Sequence, residues 1–216
     1  MDKTQIINSD INSWEEVILI YNSALKSIET KVAILNDEFQ HVHSYNPIEH
    51  VKCRIKTSNS IVKKLKKNGY EATIQNMVEH VNDIAGVRII CSFASDLYAI
   101  AEMLAKQSDI EIIHIKDYIK NPKPSGYRSY HMLVKTPIYL SNRIEYAKVE
   151  IQIRTVAMDF WASLEHKINY KFEGNVPDRV RGELIECAFM SSELDKMMMA
   201  LNEEVNSIDS EANVAE

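Results

Sequence analysis

Apolar residues along this chain follow two rhythms, and the switch between them is sharpest from Val149 to Tyr170. Val149, Ile151 and Ile153 are apolar while Glu150, Gln152 and Arg154 are polar. This is the alternation of a strand with one buried face and one polar face. Thr155 then stands as a candidate helix N-cap. Beyond it the rhythm lengthens. Ala157, Trp161, Leu164 and Ile168 fall on one side at ~100° per residue, and Asp159, Ser163, His166 and Tyr170 on the other. A carboxylate, an amide and a guanidinium on one strand face, running into Asp and His on one helix face, fit a site for a polar, charged ligand. They equally fit an amphipathic strand–helix pair with a solvated face.

The same reading divides the rest of the chain. Residues 13–43 predict a long helix, with Val17, Tyr21, Leu25, Ile28, Val32, Leu35 and Phe39 at spacings of three and four and Ser13 as a cap candidate. Pro47 ends that unit. Residues 49–56 alternate, with Val51, Cys53 and Ile55 opposite His50, Lys52, Arg54 and Lys56. Thr57 or Ser58 opens a short helix that stops at Asn68-Gly69, and a second covers about 73–81. An apolar, β-branched run at 86–93 predicts a buried strand, interrupted by Arg88. A helix on Leu97, Ile100, Ala101 and Leu104 follows, then a strand over 110–119. Pro and Gly make 120–127 a loop. Strands at 128–140 and 143–154 are joined by Ser141-Asn142. After the helix of the first paragraph, 174–177 break the chain. A last helix runs from about 177 to 205, and 207–216 are expected to fray. The expected fold is α+β: one domain over 1–216 with its core at 46–172, built on a mixed five-stranded sheet flanked by helices. The hairpin excludes a regular doubly wound sheet.

Composition adds limits. The chain has 216 residues, enough for a sizeable core. No apolar run approaches the ~20 residues of a membrane span, and the N-terminus lacks a signal-peptide layout, which points to a cytoplasmic protein. Cys53, Cys91 and Cys187 are far apart among apolar neighbours and read as reduced core thiols, with no spacing for zinc. Net charge is −6, yet seven of the 25 basic residues, Lys52, Arg54, Lys56, Lys63, Lys64, Lys66 and Lys67, lie together with no acid among them. Such a segment suits a polyphosphate or nucleic acid, or forms a solvated face.

Several candidate groups join Glu150. Asp83, before the strand at 86–93, either makes a turn hydrogen bond or pairs in space with Glu150 as a two-carboxylate magnesium site. Arg88 needs an acidic partner or a cleft, and its plane can stack on a base. The run S-G-Y-R-S-Y-H at 125–131 offers Tyr127 for base stacking, with Arg128 and His131 nearby. No P-loop, no GxGxxG and no GxSxG occurs, so phosphate binding falls to side chains.

Six words carry a resemblance: N-P-I-E-H-V-K-C-R-I-K at 46–56, D-I-A-G-V-R at 83–88, K-D-Y-I at 116–119, S-G-Y-R-S-Y-H at 125–131, V-E-I-Q-I-R-T at 149–155 and M-D-F-W-A-S-L-E-H-K-I-N-Y-K at 158–171. Together, over about 13–205, they resemble the small alarmone synthetases, single-domain relatives of the RelA/SpoT (p)ppGpp synthetases. N-P-I-E-H and A-M-D-F-W look closer to the RelP than to the RelQ type. The resemblance implies a nucleotidyltransferase-like fold, homotetrameric assembly and GTP pyrophosphokinase activity. In that reaction, with Mg²⁺, the β,γ-pyrophosphate of ATP moves to the ribose 3′-hydroxyl of GDP or GTP, giving ppGpp or pppGpp and AMP. It further implies that Arg54 and Arg88 hold adenine and that Lys56, Lys64 and Lys67 meet the donor phosphates. Asp83 and Glu150 would bind magnesium, with Glu150 drawing the 3′-hydroxyl proton. Tyr127 would stack on guanine; Lys116, Lys123, His131, Gln152, Arg154 and Asp159 would serve the acceptor; His166 and Asn169 would support. Asp159 stands where some relatives have Asn, and Lys67 where some have Arg. No His-Asp dipeptide of the family's hydrolase occurs, so synthesis without hydrolysis is expected. Two rival expectations remain: a pyrophosphokinase acting on adenosine nucleotides or a tRNA 3′ end, and a regulator that binds single-stranded RNA through the basic segment.

Overall fold

The computed structural model of the protein describes residues 13–172 and 175–214. In chain order its elements are α1 (Trp14–Val42), β1 (Ile48–Ile55), α2 (Ser58–Lys67), α3 (Ile74–His80), β2 (Ala85–Cys91), α4 (Ala94–Ala105), β3 (Glu111–Asp117), β4 (Tyr130–Tyr139), β5 (Ile144–Thr155), α5 (Val156–Lys171) and α6 (Asp178–Val214). This is the order that the hydrophobic rhythm predicts. The strands make one sheet ordered β1-β2-β5-β4-β3. β2 and β5 run parallel, and the other neighbours are antiparallel.

Side-chain alternation gives the sheet two unlike faces. Val87 and Ile89 of β2, Met132 and Val134 of β4, and Val149, Ile151 and Ile153 of β5 are all buried in one core. α1 closes that face with Val17, Ile20, Tyr21, Ala24, Leu25, Ile28 and Val32, and α4 with Leu97, Ile100 and Leu104. Ile61 and Leu65 of α2 and Met77 of α3 join the same cluster. Burying a side chain of this size contributes roughly 1.5–3 kcal/mol, so one face of the sheet carries the core and the opposite face is left to polar residues.

Local signals account for most boundaries. The side chains of Thr57, Thr73 and Thr155 cap α2, α3 and α5, accepting from the Ser60, Asn76 and Met158 amides at 3.4, 3.2 and 3.2 Å. Ser13 occupies the N-cap of α1 without a side-chain bond, unlike its expected role. Gly69, at φ +81°, ends α2 in the left-handed region that glycine adopts readily.

Three expectations are corrected. The last helix does not stop near 205: α6 continues to Val214, and no Gly or Pro lies between 205 and 214 to end it. Cys187 is not a core thiol but is exposed on α6, whereas Cys91 is buried and Cys53 half-buried. On α5 the buried residues are Met158, Asp159, Trp161 and Ala162, while Leu164 is 42% exposed. Asp159 therefore lies on the inner side, for a reason that the site explains. Residues 1–12, expected to lack a signal peptide, and Gly174 of the expected chain break lie outside the described residues.

Candidate active site

The polar face of the sheet is organised in cross-strand rungs. In one, Lys52 of β1 pairs with Arg88 of β2, Arg88 with Gln152 of β5, Gln152 with His131 of β4, and His131 with Lys116 of β3. Every strand gives one polar residue to this row. In the next rung Arg54 faces Gly86, and Gly86 faces Glu150. Residues paired across strands share a face, so register alone brings Arg54, Arg88, Glu150, Gln152 and His131 together from segments up to about a hundred residues apart.

Two adjoining cavities open on this face. The first, of about 350 Å³, is lined on the β1–β2 side by Lys52, Cys53, Arg54, Gly86, Val87 and Arg88 and reaches Asp83, Glu150 and Gln152. The second, of about 620 Å³, shares Arg54, Asp83, Arg88, Glu150 and Gln152. It adds Lys123, Ser125, Tyr127, His131 and Arg154, with Ser163, Glu165, His166 and Lys167 of α5 forming its far wall. Asp83 and Glu150 thus stand where the two cavities meet.

Each carboxylate has both oxygens engaged. Asp83 accepts from Lys56 Nζ at 2.8 Å and Lys64 Nζ at 2.7 Å. Burial favours its neutral form, but the two ammonium groups outweigh burial and hold its pKa below the usual value. Glu150 accepts from Gln152 Nε2 at 2.8 Å and meets His131 Nδ1 at 3.3 Å. There too burial acts first, against ionisation, and the His131 and Gln152 contacts prevail, so the pKa lies below the ordinary range. Asp83 opposes that depression through its own charge, which means that the two carboxylates sense each other.

A buried Lys148 fixes the turn before Asp83. Its Nζ donates to the Glu79 carbonyl at 3.0 Å and to Asn82 Oδ1 at 2.7 Å. Burial lowers its pKa to about 8. Lys148 lies two residues before Glu150 on β5, so one strand holds both ends of the carboxylate pair.

On the β4–β5 side the polar groups close into a ring. Arg154 Nη2 donates to the Tyr127 hydroxyl at 2.7 Å and to Gln152 Oε1 at 3.1 Å. The Tyr127 hydroxyl lies 2.8 Å from His131 Nε2. A guanidinium only donates, so the Tyr127 oxygen accepts from Arg154 and its own O–H is free to point at His131 Nε2, while Nδ1 of the same ring faces Glu150. Arg154 is also paired with Asp159 Oδ1 at 2.8 Å, and the same oxygen takes Arg88 Nη1 at 3.1 Å. Two guanidiniums explain why Asp159 is buried on a helix whose apolar rhythm placed it outside. Arg88 Nε is buried without a hydrogen-bond partner, an arrangement that leaves this side chain incompletely satisfied.

Other expected site residues fall at different distances from this centre. Lys123 lines the second cavity, its Nζ 4.7 Å from both the Tyr118 and Tyr127 ring centres, and His166 lines the same cavity. Lys116 ends the five-strand rung on exposed β3, and Lys67 is exposed at the end of α2. Neither is among the lining residues, and Asn169 bonds instead to Glu165. Reading the sequence by motif missed Gln152 as a direct support of Glu150 and missed Lys148 entirely. Two-residue alternation from Glu150 was the available signal for both.

Fold and site define a polar, basic cleft on a mixed sheet, in which side chains rather than a glycine loop supply the positive charge. Residues 53–175 match the model of the region found in RelA/SpoT proteins. The chain is 48% identical to GTP pyrophosphokinase YwaC of Bacillus subtilis, over 95% of this chain and 97% of that protein. Its fold matches the crystal structure of small alarmone synthetase 2 from Bacillus subtilis with a TM-score of 0.81, at 48% identity over 88% of this chain and 98% of that one. It also matches small alarmone synthetase 1 from Bacillus subtilis bound to its product pppGpp, with a TM-score of 0.83 at 36% identity over 89% and 97%. The chain belongs to the RelA/SpoT family.

Proposed function

We propose that the protein is a GTP pyrophosphokinase of the RelP-like type that makes ppGpp and pppGpp from ATP and GDP or GTP. The observation that carries this reading is the position of Glu150. It is an ionised carboxylate at the junction of a lysine- and arginine-lined cavity and a cavity walled by Tyr127, His131 and Arg154. A basic chamber suits a triphosphate, and an aromatic chamber with fixed polar groups suits a base and ribose.

In the proposed assignment Arg54 and Arg88 flank adenine, and Lys56, Lys64 and Lys67 meet the donor phosphates. Lys56 and Lys64 then exchange Asp83 for phosphate oxygens, a swap between anions that leaves neither lysine unpaired. Tyr127 takes the guanine face, and Lys116, Lys123, His131, Gln152 and Arg154 serve the acceptor. Asp159 ties the two sides together through Arg88 and Arg154, leaving Oδ2 for the guanine edge; His166 and Asn169 support the α5 wall.

Asp83 and Glu150 are the oxygen donors that would hold Mg²⁺. The donor set fits: magnesium favours one or two carboxylates and leaves its other positions to water and phosphate, and both carboxylates border the same space. Bound there, the ion would neutralise charge on the phosphates and make the hydroxyl more acidic. The 3′-oxygen forms its bond to the β-phosphorus as the bond to the bridging oxygen breaks and AMP leaves. The hydroxyl proton goes to Glu150. A carboxylate with a lowered pKa is a weak base, so Glu150 aligns the hydroxyl and takes its proton late, as suits a loose phosphoryl-transfer transition state.

Self-association as a homotetramer belongs to the same proposal. α6 leaves Ile185, Phe189, Leu194, Met197, Leu201 and Ile208 exposed, an apolar face that a second copy would cover. No helix among the described residues is long and apolar enough to cross a membrane, which fits a cytoplasmic site of action. A role in RNA binding has less support, because Lys56 and Lys64 of the basic segment are paired with Asp83. Incubation with labelled ATP, Mg²⁺ and GDP, GTP, an adenosine nucleotide or tRNA, followed by separation of the nucleotides, tests the reading. ppGpp and AMP appear together with GDP; label transfer to the adenosine nucleotide or tRNA alone would overturn it.

A further inference from the structure

The loop that carries Tyr127 rests on α6. Gly126 has φ +87°, and a methyl placed on it would lie 2.4 Å from the Ala188 Cβ. No side chain fits between loop and helix. Ala188 is buried, and Tyr127 packs against the small cluster that Ala188 forms with Trp161 and Ala162. On the far side of Tyr127 lie its bonds to Arg154 and His131.

α6 is itself fixed against α5. Asp195 accepts from Thr155 Oγ1 at 2.6 Å, at the N-cap of α5. Ser191 Oγ donates to the Ala157 carbonyl at 3.0 Å, and Trp161 Nε1 to the Leu184 carbonyl at 2.8 Å. Positions 184, 188, 191 and 195 are spaced by four, three and four residues, so they form one stripe of the helix. Among the described residues α6 lends no side chain to either cavity. Its connection to the site runs through the loop, where Gly126 and Tyr127 rest on Ala188.

We propose that α6 sets the position of Tyr127, and that Ala188 is a positioning residue for the acceptor nucleotide. The contact is a hard stop. Gly126 has no atoms to yield, and α6 is held at three points along the same stripe. Enlarging residue 188 must therefore move the loop, and Tyr127 with it. The contacts described for this stripe go to α5 and to the loop of Gly126, and none of them reaches the donor side built on β1, β2 and α2, which therefore stays in place. The proposal rests on Tyr127 serving the acceptor, as in the proposed function.

The test is steady-state kinetics of the full chain carrying Ala188→Leu, with ATP and GDP varied in turn at saturating Mg²⁺. The KM for GDP rises by roughly tenfold or more, within the ~10²-fold that a displacement of about 1 Å costs a reaction of this kind. The KM for ATP stays within about twofold, since no donor contact moves. A folded variant with both constants unchanged, or both raised equally, overturns the proposal. If Ala188→Leu fails to fold by circular dichroism, Ala188→Val carries the same test with a rise of roughly threefold or more for GDP alone, and its failure to separate the constants counts against the proposal. Wild-type protein that forms no ppGpp under these conditions refutes the proposed function and this inference with it. Wild-type turnover beside an unmoved GDP constant in the variant refutes only the positioning.

Discussion

The two sides of the cleft meet charge in opposite ways. On the β1–α2 side Lys52, Arg54, Lys63, Lys66 and Lys67 stand on exposed stems, and even Lys64 keeps 37% of its side chain open. On the β4–β5 side Arg154 is only 5% exposed and His131 14%, and both are tied into a ring with Tyr127, Gln152 and Glu150. Flexible ammonium groups gather a triphosphate without dictating its shape, because each acts as a mobile point charge. A closed ring of directed hydrogen bonds is already ordered before a ligand arrives, so little entropy is lost on binding and little misfit is tolerated. In the proposed function, capture therefore belongs to one side and discrimination to the other, with Glu150 between them.

The largest expected effect removes that junction. Glu150→Gln keeps the shape and loses the charge, and turnover falls by ~10²–10⁴-fold, the usual worth of a positioned proton acceptor. Retention of more than about a tenth of wild-type turnover at saturating Mg²⁺ contradicts the role, given that range. Next is Tyr127→Ala, which deletes a stacking platform worth ~1–3 kcal/mol and raises the KM for GDP far more than that for ATP. Tyr127→Phe retains the platform and loses only the bridge between Arg154 and His131, so its KM for GDP lies between wild type and Tyr127→Ala. Equal damage to both substrates would mean that the two sides are not separate.

Arg88→Ala is a smaller and more pointed test. The chain folds, because Asp159 remains paired with Arg154, while ATP binding measured by calorimetry weakens by about tenfold, as for ~1.4 kcal/mol of lost stacking. Loss of folding would mark Arg88 as structural. The smallest effect is on acid stability. Asp83 and Glu150 have folded pKa values below those of the unfolded chain. Their contribution to stability is complete above the unfolded values of about 4 and is lost as pH falls through the lowered folded values. Melting temperature followed from pH 6 to pH 2.5 therefore drops less steeply for Glu150→Gln than for wild type.

Much of this molecule is readable in the order of its residues. Alternation and helical spacing give the element sequence because one sheet face is buried and each helix hides one stripe. The apolar rhythm of α5 misleads at Asp159, since the groups that draw it inward, Arg88 and Arg154, belong to strands. Ala188 carries no signal at all: an alanine in a helix is unremarkable until a glycine 62 positions earlier is found against it. The tail of α6 was unreadable for a different cause, as a polar, acidic run satisfies helix and frayed coil alike.

The strand order has a consequence in time. β5 lies at the centre of the sheet, yet it is the last strand to leave the ribosome. Until it enters between β2 and β4, Arg54 and Arg88 are separated from His131 by an open gap, and Glu150 and Gln152 are missing. Pairings between β2 and β5 join residues some sixty positions apart, and such long-range closures are slow. The site therefore cannot be complete before β5 is in place, because the carboxylate at its junction, Glu150, and the neighbouring Gln152 and Arg154 all lie on that strand.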